Sequence, residues 1–316
     1  MATRKIVCNR SPCGARRRQD ADRALPTFHF ISGLPRAGST LLAALLRQNP
    51  AVRAGITSPL GSLVGALLKD MSQGNETSIF LDDAQRARLL RGLFDNLHAD
   101  LPANTTVFDT NRGWTARIDL LANLFPECRV ICCVRHVPWI IDSVERLIRR
   151  NTFELSKIFN FDTGGTVYSR ADGLMSDMGL IGYPLAAMKQ AMHGDQSGRL
   201  LLVPYDMLCE NPQATLDAIY DFCGVPRFAH DPEHIAFDTR EFDARLGTPG
   251  LHDVRPQARR VERQSILPPD LWAKWEGASI WRDPAFQRRT GGTGQVAMGS
   301  PLGAVEGTEA GAFRAT

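Results

Sequence analysis

Hydrophobic and polar positions alternate along this chain on two scales. The segments 28–32 and 129–134 are short, almost continuously apolar runs, the second reading Val130, Ile131, Cys132, Cys133, Val134. Runs of this kind suit strands buried on both faces of a parallel sheet. Further strands are expected at 106–109 and 200–205. Between them, apolar residues recur at helical spacing over 39–48, near 60–70 and 83–99, over 115–124 and 138–150, near 184–193 and over 212–223. Strands alternating with amphipathic helices predict an α/β fold, a three-layer α/β/α arrangement around a central parallel sheet. No internal repeat is visible.

Composition sets the limits of this body. With 316 residues and 43% hydrophobic content the chain can bury one large core; a prior of roughly 150 residues per domain would also permit two, and one is the simpler reading. Residues 1–26 carry seven Lys/Arg against Asp20 and Asp22 and hold no apolar core segment, which predicts a basic, disordered extension or, less readily, an organellar transit peptide. Residues 291–316 contain seven glycines and few large apolar side chains, a flexible Gly/Ala-rich tail. The folded domain is therefore expected at 27–290. The net charge of +3 comes from the extension, so the body offers no basic patch for a nucleic-acid backbone. No apolar stretch reaches the roughly 18 residues of a membrane span. Seven cysteines without paired CxxC spacing read as reduced, buried thiols rather than zinc ligands or a disulfide framework, which favours a cytoplasmic location. Nothing here excludes a homo-oligomer.

The candidate chemistry begins directly after the first strand, at Gly33-Leu34-Pro35-Arg36-Ala37-Gly38-Ser39-Thr40. A phosphate loop of an ATPase or nucleotide kinase reads GxxxxGK and then Ser or Thr, with lysine on the β/γ-phosphates. Here Ser39 stands where that lysine would be. The glycine frame still gathers backbone N–H groups at a helix N-terminus, a geometry that binds oxyanions. Arg36 adds a forked cation suited to phosphate or sulfate. A second constellation lies at the carboxyl end of another strand, where Arg135 is followed by Pro138 and a helix carrying Ser143. Ligands of open α/β sheets sit at such strand ends, so Arg135 and Ser143 can grip one anion from two sides.

Together these two blocks resemble the nucleotide-binding signature of sulfotransferases that use 3'-phosphoadenosine 5'-phosphosulfate (PAPS). In that family a Pro-(Lys/Arg)-Ser-Gly-Thr-Thr loop holds the 5'-phosphosulfate, matched here by Pro35, Arg36, Ala37, Gly38, Ser39 and Thr40. An Arg followed eight residues later by Ser holds the 3'-phosphate, as Arg135 and Ser143 are spaced. A third match, Val203-Pro204-Tyr205-Asp206-Met207-Leu208, is similar to the Tyr-Glu-Asp-Leu segment whose tyrosine lies near the adenine. Arginine at 36 points to the bacterial and protein-tyrosine branch. The resemblance spans about 27–228 and implies a P-loop-like fold, PAPS as co-substrate, no metal, and transfer of a sulfuryl group to a hydroxyl, less readily an amine, of a small-molecule, carbohydrate or peptide acceptor. Arg36 would then stabilise charge building on the leaving phosphate. Arg255, in a late basic stretch with Arg259 and Arg260, would close the 3'-phosphate site.

The base is where the chain departs from that pattern. The tyrosine-sulfating branch places a glutamate shortly after the first helix, but residues 55–59 here contain no carboxylate. The cytosolic branch places a histidine after the middle strand, where this chain has Asp109-Thr110-Asn111. Asp109 is the expected base, with Arg112 as orienter or acceptor contact, although an Asp before Thr-Asn-Arg-Gly also suits a turn. His29, Trp114 and Trp139 are read as packing residues, and His136 as a surface histidine or one behind the site. Residues 151–182, rich in Gly, Ser and Asp, read as a mobile lid. Two rival functions stay open at this point: a degenerate P-loop nucleotide kinase and a non-catalytic nucleotide-binding module.

Overall fold

Five parallel strands organise the fold in the computed structural model, which describes residues 26–72, 74–151, 153 and 165–283. In chain order the elements are β1 (Thr27–Gly33), α1 (Ser39–Leu46), β2 (Val52–Ala54), α2 (Leu60–Asp70), α3 (Asp83–Leu97), β3 (Thr106–Thr110), α4 (Ile118–Leu124), β4 (Val130–Val134), α5 (Val137–Arg150), α6 (Val167–Met175), α7 (Gly182–His193), β5 (Leu200–Pro204), α8 (Tyr205–Glu210), α9 (Pro212–Cys223), α10 (Arg240–Arg245) and α11 (Pro269–Glu276). The sheet order is β2-β3-β1-β4-β5. Every residue of β3 and β4 is buried, and β1 is buried after its first residue. Strands with both faces covered need helices on both sides of the sheet, giving three layers.

Local sequence explains several helix limits. Asp82 caps α3 and Gln85 returns the bond to Asp82 N, a reciprocal capping box. Pro138 and Pro212 sit in the first turns of α5 and α9, where a missing N–H costs nothing. Gly224 ends α9 in the left-handed conformation, φ 67°.

The core centres on an aromatic cluster beneath β1. Phe30 packs edge-on against Phe94 and Trp114, at 6.0 and 5.4 Å between centroids. Trp114 is fully buried, as the packing assignment expected. His29 is buried in β1 and its Nδ1 accepts from Arg129 N at 3.1 Å. His136 is also buried, against Trp272, and so is not a surface residue. Cys128, Cys132, Cys133 and Cys209 are free and buried.

Topology sets where ligands can bind. β1 is flanked by β3 on one side and β4 on the other, so the chain reverses its direction of travel across the sheet at the β1/β4 seam. The register pairs Gly33 with Cys133, Ile31 with Thr110, and Val134 with Pro204. The carboxyl ends of β1, β3, β4 and β5 thus come out along one edge. Crevices in open α/β sheets form at this kind of switch point.

The differences from the sequence expectation are local. β2 is three residues long, too short for a periodic signal. Residues 115–124 split into a 3₁₀ turn over Thr115–Arg117 and then α4. Tyr205 opens α8 rather than closing β5. Within the expected lid, 167–175 forms α6, and its stretch over 154–164 lies outside the described residues, as do 1–25 and 284–316. Among the described residues no helix is long and apolar enough to cross a membrane.

Candidate active site

Two glycines shape the loop after β1. A Cβ on Gly33, φ 111°, would lie 2.2 Å from Cys133 O, so only glycine lets β1 turn away while still paired with β4. Gly38, φ 95°, serves as N-cap of α1, where a Cβ would stand 2.9 Å from the Tyr205 ring. Between them Arg36 itself holds a positive φ of 56°. A non-glycine residue in that region costs on the order of 1–3 kcal/mol, and such costs collect at functional sites.

The loop and the second constellation meet directly. Arg36 Nε donates to Ser143 Oγ at 3.1 Å, across 107 residues of sequence. Arg135 Nη1 donates to the carbonyl of Arg36 at 3.1 Å, and its guanidinium stacks over the Tyr205 ring at 4.3 Å. The three sequence blocks are therefore one cluster, brought together by the shared strand ends. Burial and then the neighbouring Arg135 charge push the Arg36 guanidinium down to about 10, which leaves it cationic at neutral pH. Burial raises the Tyr205 phenol to about 12.

These residues line a cleft of ≈ 310 Å³ at the carboxyl edge of the sheet. Gly38, Ser39 and Thr40 form its floor with Pro35 and Arg36, while Ala37 turns inward and is buried. Arg135 and Tyr205 enter from the β4/β5 side, and Ile56, Thr57, Asn111 and Arg112 from the β2/β3 side. Residues 251–263 run over the mouth, bringing His252, Arg255, Arg259 and Arg263.

Charge in the cleft is strongly one-sided. Arg263 pairs with buried Asp142 at 2.6 Å, and Arg259 with Glu233 at 2.7 Å. Arg36, Arg112, Arg135 and Arg255 have no carboxylate within ion-pairing distance among the described residues. Asp253 is the carboxylate among the lining side chains. Four guanidinium groups against one lining carboxylate in a concave site focus a positive potential that favours an anionic ligand. Among the described residues no His, Cys, Asp and Glu group is arranged to hold a metal ion.

A model of the sulfotransferase family matches residues 29–230, a span that runs from β1 past α9. The chain belongs to the sulfotransferase family. No curated protein matches it. Among solved structures it is similar to a sulfotransferase domain from the curacin biosynthetic pathway, at 17% identity and TM-score 0.48 over 86% of this chain and 99% of that one. A sulfotransferase from Alicyclobacillus acidocaldarius gives 14% and 0.47 over 84% and 100%, and sulfotransferase STF9 from Mycobacterium avium gives 18% and 0.42 over 68% and 67%.

Read as a sulfotransferase, the chain brings the expected loop residues together, with Arg135, Ser143, Tyr205 and Arg255 beside them. Asp109 is the departure. It is buried, its Oδ1 accepts from Trp114 Nε1 at 2.7 Å, and it does not line the cleft. Burial raises its carboxyl, while hydrogen bonds from Ser58 and Trp114 oppose that rise. The carboxylate thus anchors the core tryptophan and is not among the side chains that line the cleft. Missed from the sequence was a buried carboxylate behind His252, supplied by Asp243 of α10. No motif links a residue of a six-residue helix to one nine positions later in the loop that follows.

Proposed function

We propose that this sulfotransferase takes its sulfuryl group from PAPS and places it on a hydroxyl, less readily an amine, of a small-molecule, carbohydrate or peptide acceptor. The observation that carries the reading is the Arg36 to Ser143 hydrogen bond, which joins the β1 loop and the β4–α5 junction into one cationic site with room for two anions. Two anion sites joined through one arginine suit a nucleotide with phosphates at both ends of its ribose better than a linear triphosphate. In this reading Pro35, Arg36, Ala37, Gly38, Ser39 and Thr40 hold the 5'-phosphosulfate through backbone N–H groups, the Thr40 hydroxyl and the Arg36 guanidinium. Arg135 and Ser143 hold the 3'-phosphate, with Arg255 closing over it. Tyr205, stacked under Arg135, lies along the adenosine.

The absence of the loop lysine then has a chemical reason: the donor has no γ-phosphate to grip. Sulfuryl transfer resembles phosphoryl transfer in spreading charge over the transferred group and the leaving oxygen, so positioning and fixed positive charge supply most of the rate. Arg36 contributes both at once. The domain assigned to this work is 27–290, flanked by the basic extension and the Gly/Ala-rich tail.

Calorimetric titration with 3'-phosphoadenosine 5'-phosphate and with ATP, each with and without Mg²⁺, tests the reading. Micromolar or tighter, metal-independent binding of the bisphosphate is expected. Preference for ATP with Mg²⁺ would make the site that of a kinase.

A further inference from the structure

At the two positions where the family resemblance places a base, this chain has no carboxylate or one already hydrogen-bonded in the core. Residues 55–59 have no carboxylate, and Asp109 is committed to Trp114. The cleft nevertheless contains one imidazole held in a defined orientation. His252 Nδ1 lies 2.6 Å from Asp243 Oδ1, and the backbone N–H of His252 donates to Asp243 Oδ2 at 2.8 Å. Asp243 is 1% exposed, so both of its oxygens are spent on this one residue. The Phe242 ring packs edge-on against the imidazole at 5.3 Å and fixes its plane.

A carboxylate that accepts from Nδ1 sets the tautomer: the proton sits on Nδ1 and the Nε2 lone pair is left to the opposite side. Nε2 has no hydrogen bond to a described residue, and the side chain, 23% exposed, is among those that line the cleft. The charged groups around it are Asp243 behind, Arg36 of the donor loop, and Arg112 beyond β3. His252 lines the same cleft as Arg36 of the donor loop and Arg112 at the end of β3.

We propose that His252 is the catalytic base of this sulfotransferase and that Asp243 is its positioning residue. The assignment rests on the donor reading given above. His252 Nε2 takes the proton of the acceptor O–H as that oxygen bonds to sulfur. The bond between sulfur and the bridging oxygen of the 5'-phosphate breaks, and its electron pair leaves with the phosphate. Products are the sulfate ester and 3'-phosphoadenosine 5'-phosphate, with the proton on an imidazolium that Asp243 stabilises until water removes it. Burial first, and then Arg36 and Arg112, lower the imidazole pKa from its usual value, while Asp243 opposes them. The base is therefore neutral and competent at pH 7.

The test uses PAPS with two acceptors, water and 2-naphthol, and measures bisphosphate release alongside calorimetric binding of the bisphosphate. His252→Gln is expected to lower release about 10²- to 10⁴-fold, the range for loss of a general base, with bisphosphate affinity changed less than about threefold. Asp243→Asn should keep a slow reaction and move the acidic limb of its pH–rate profile to lower pH, because the charge that favours imidazolium has gone. A purely structural Asp243 would leave that limb in place. Retention of near-wild-type release by His252→Gln overturns the proposal, as does a wild type that binds the bisphosphate yet cleaves PAPS with neither acceptor. Failure of the wild type to bind the bisphosphate would instead overturn the donor reading.

Discussion

Replacing Gly33 with alanine tests how the loop is built. The new methyl group would meet Cys133 O at 2.2 Å, Cys133 N at 2.6 Å and Cys133 C at 2.9 Å, all backbone atoms of a fully buried strand. No side-chain rotation relieves such overlap, so β1 or β4 must shift at the switch point. Overpacking of this kind costs about 1–3 kcal/mol, and holding alanine at φ 111° costs about 1–3 kcal/mol more. The reduced freedom of the unfolded chain returns only about 0.4–1 kcal/mol. A net loss of about 1–5 kcal/mol is expected, read in urea denaturation as a lower midpoint at unchanged slope. Thermal unfolding should fall on the order of 10 °C, at roughly 2–4 °C per kcal/mol for a domain of this size. Gly38→Ala is the matched control: its contact is a movable ring, Tyr205 Cδ2 at 2.9 Å, so stability should drop less while bisphosphate binding weakens as the ring leaves Arg135. A Gly33→Ala protein within 1 kcal/mol of wild type would refute the claim that backbone contact fixes this glycine.

Arg135→Ala should weaken bisphosphate binding by about 2–3 kcal/mol, or roughly 30- to 150-fold in calorimetry, from lost charge-assisted hydrogen bonds. Asp109→Asn should leave PAPS cleavage within about threefold, because an amide oxygen still accepts from Trp114 Nε1; a loss beyond 100-fold with binding intact would return the base to Asp109. Trp114→Phe, which strands that buried carboxylate, should cost at least about 1–3 kcal/mol of stability in urea. Burial, aided by Arg129, holds His29 at about 4, and burial with Arg282 does the same for His136. The unfolded chain protonates near 6.5 and the folded one only near 4, so stability is full above pH 6.5 and falls as pH drops towards 4, by about 3 kcal/mol for each histidine. Urea midpoints that stay flat across pH 4–6.5 would contradict this.

The parallel sheet was readable in advance because buried strands leave continuous apolar runs, as Val130 to Val134 does, and helices a 3.6-residue period. The donor half of the site was readable for a related reason. Loop glycines, Arg36 and the Arg135/Ser143 spacing are each local in sequence, and strand register alone brings them together. The other half is not local. β2 is too short to show a period, and α10 is six residues long. His252 acquires its meaning only when Asp243 folds behind it. The Trp114 bond of Asp109 was equally hidden, because a carboxylate at a strand end looks alike in sequence whether it faces a cleft or a buried indole.

One cleft recognises anions on both the 3' and the 5' oxygens of an adenosine's ribose in this reading. Comparing 3'-phosphoadenosine 5'-phosphate with adenosine 5'-phosphate, in wild type and in a Ser143→Ala/Arg135→Ala double variant, measures it directly. The wild type is expected to prefer the bisphosphate by about 30-fold or more, and the double variant to bind both nucleotides alike. Equal affinity of the wild type for the two nucleotides would contradict it.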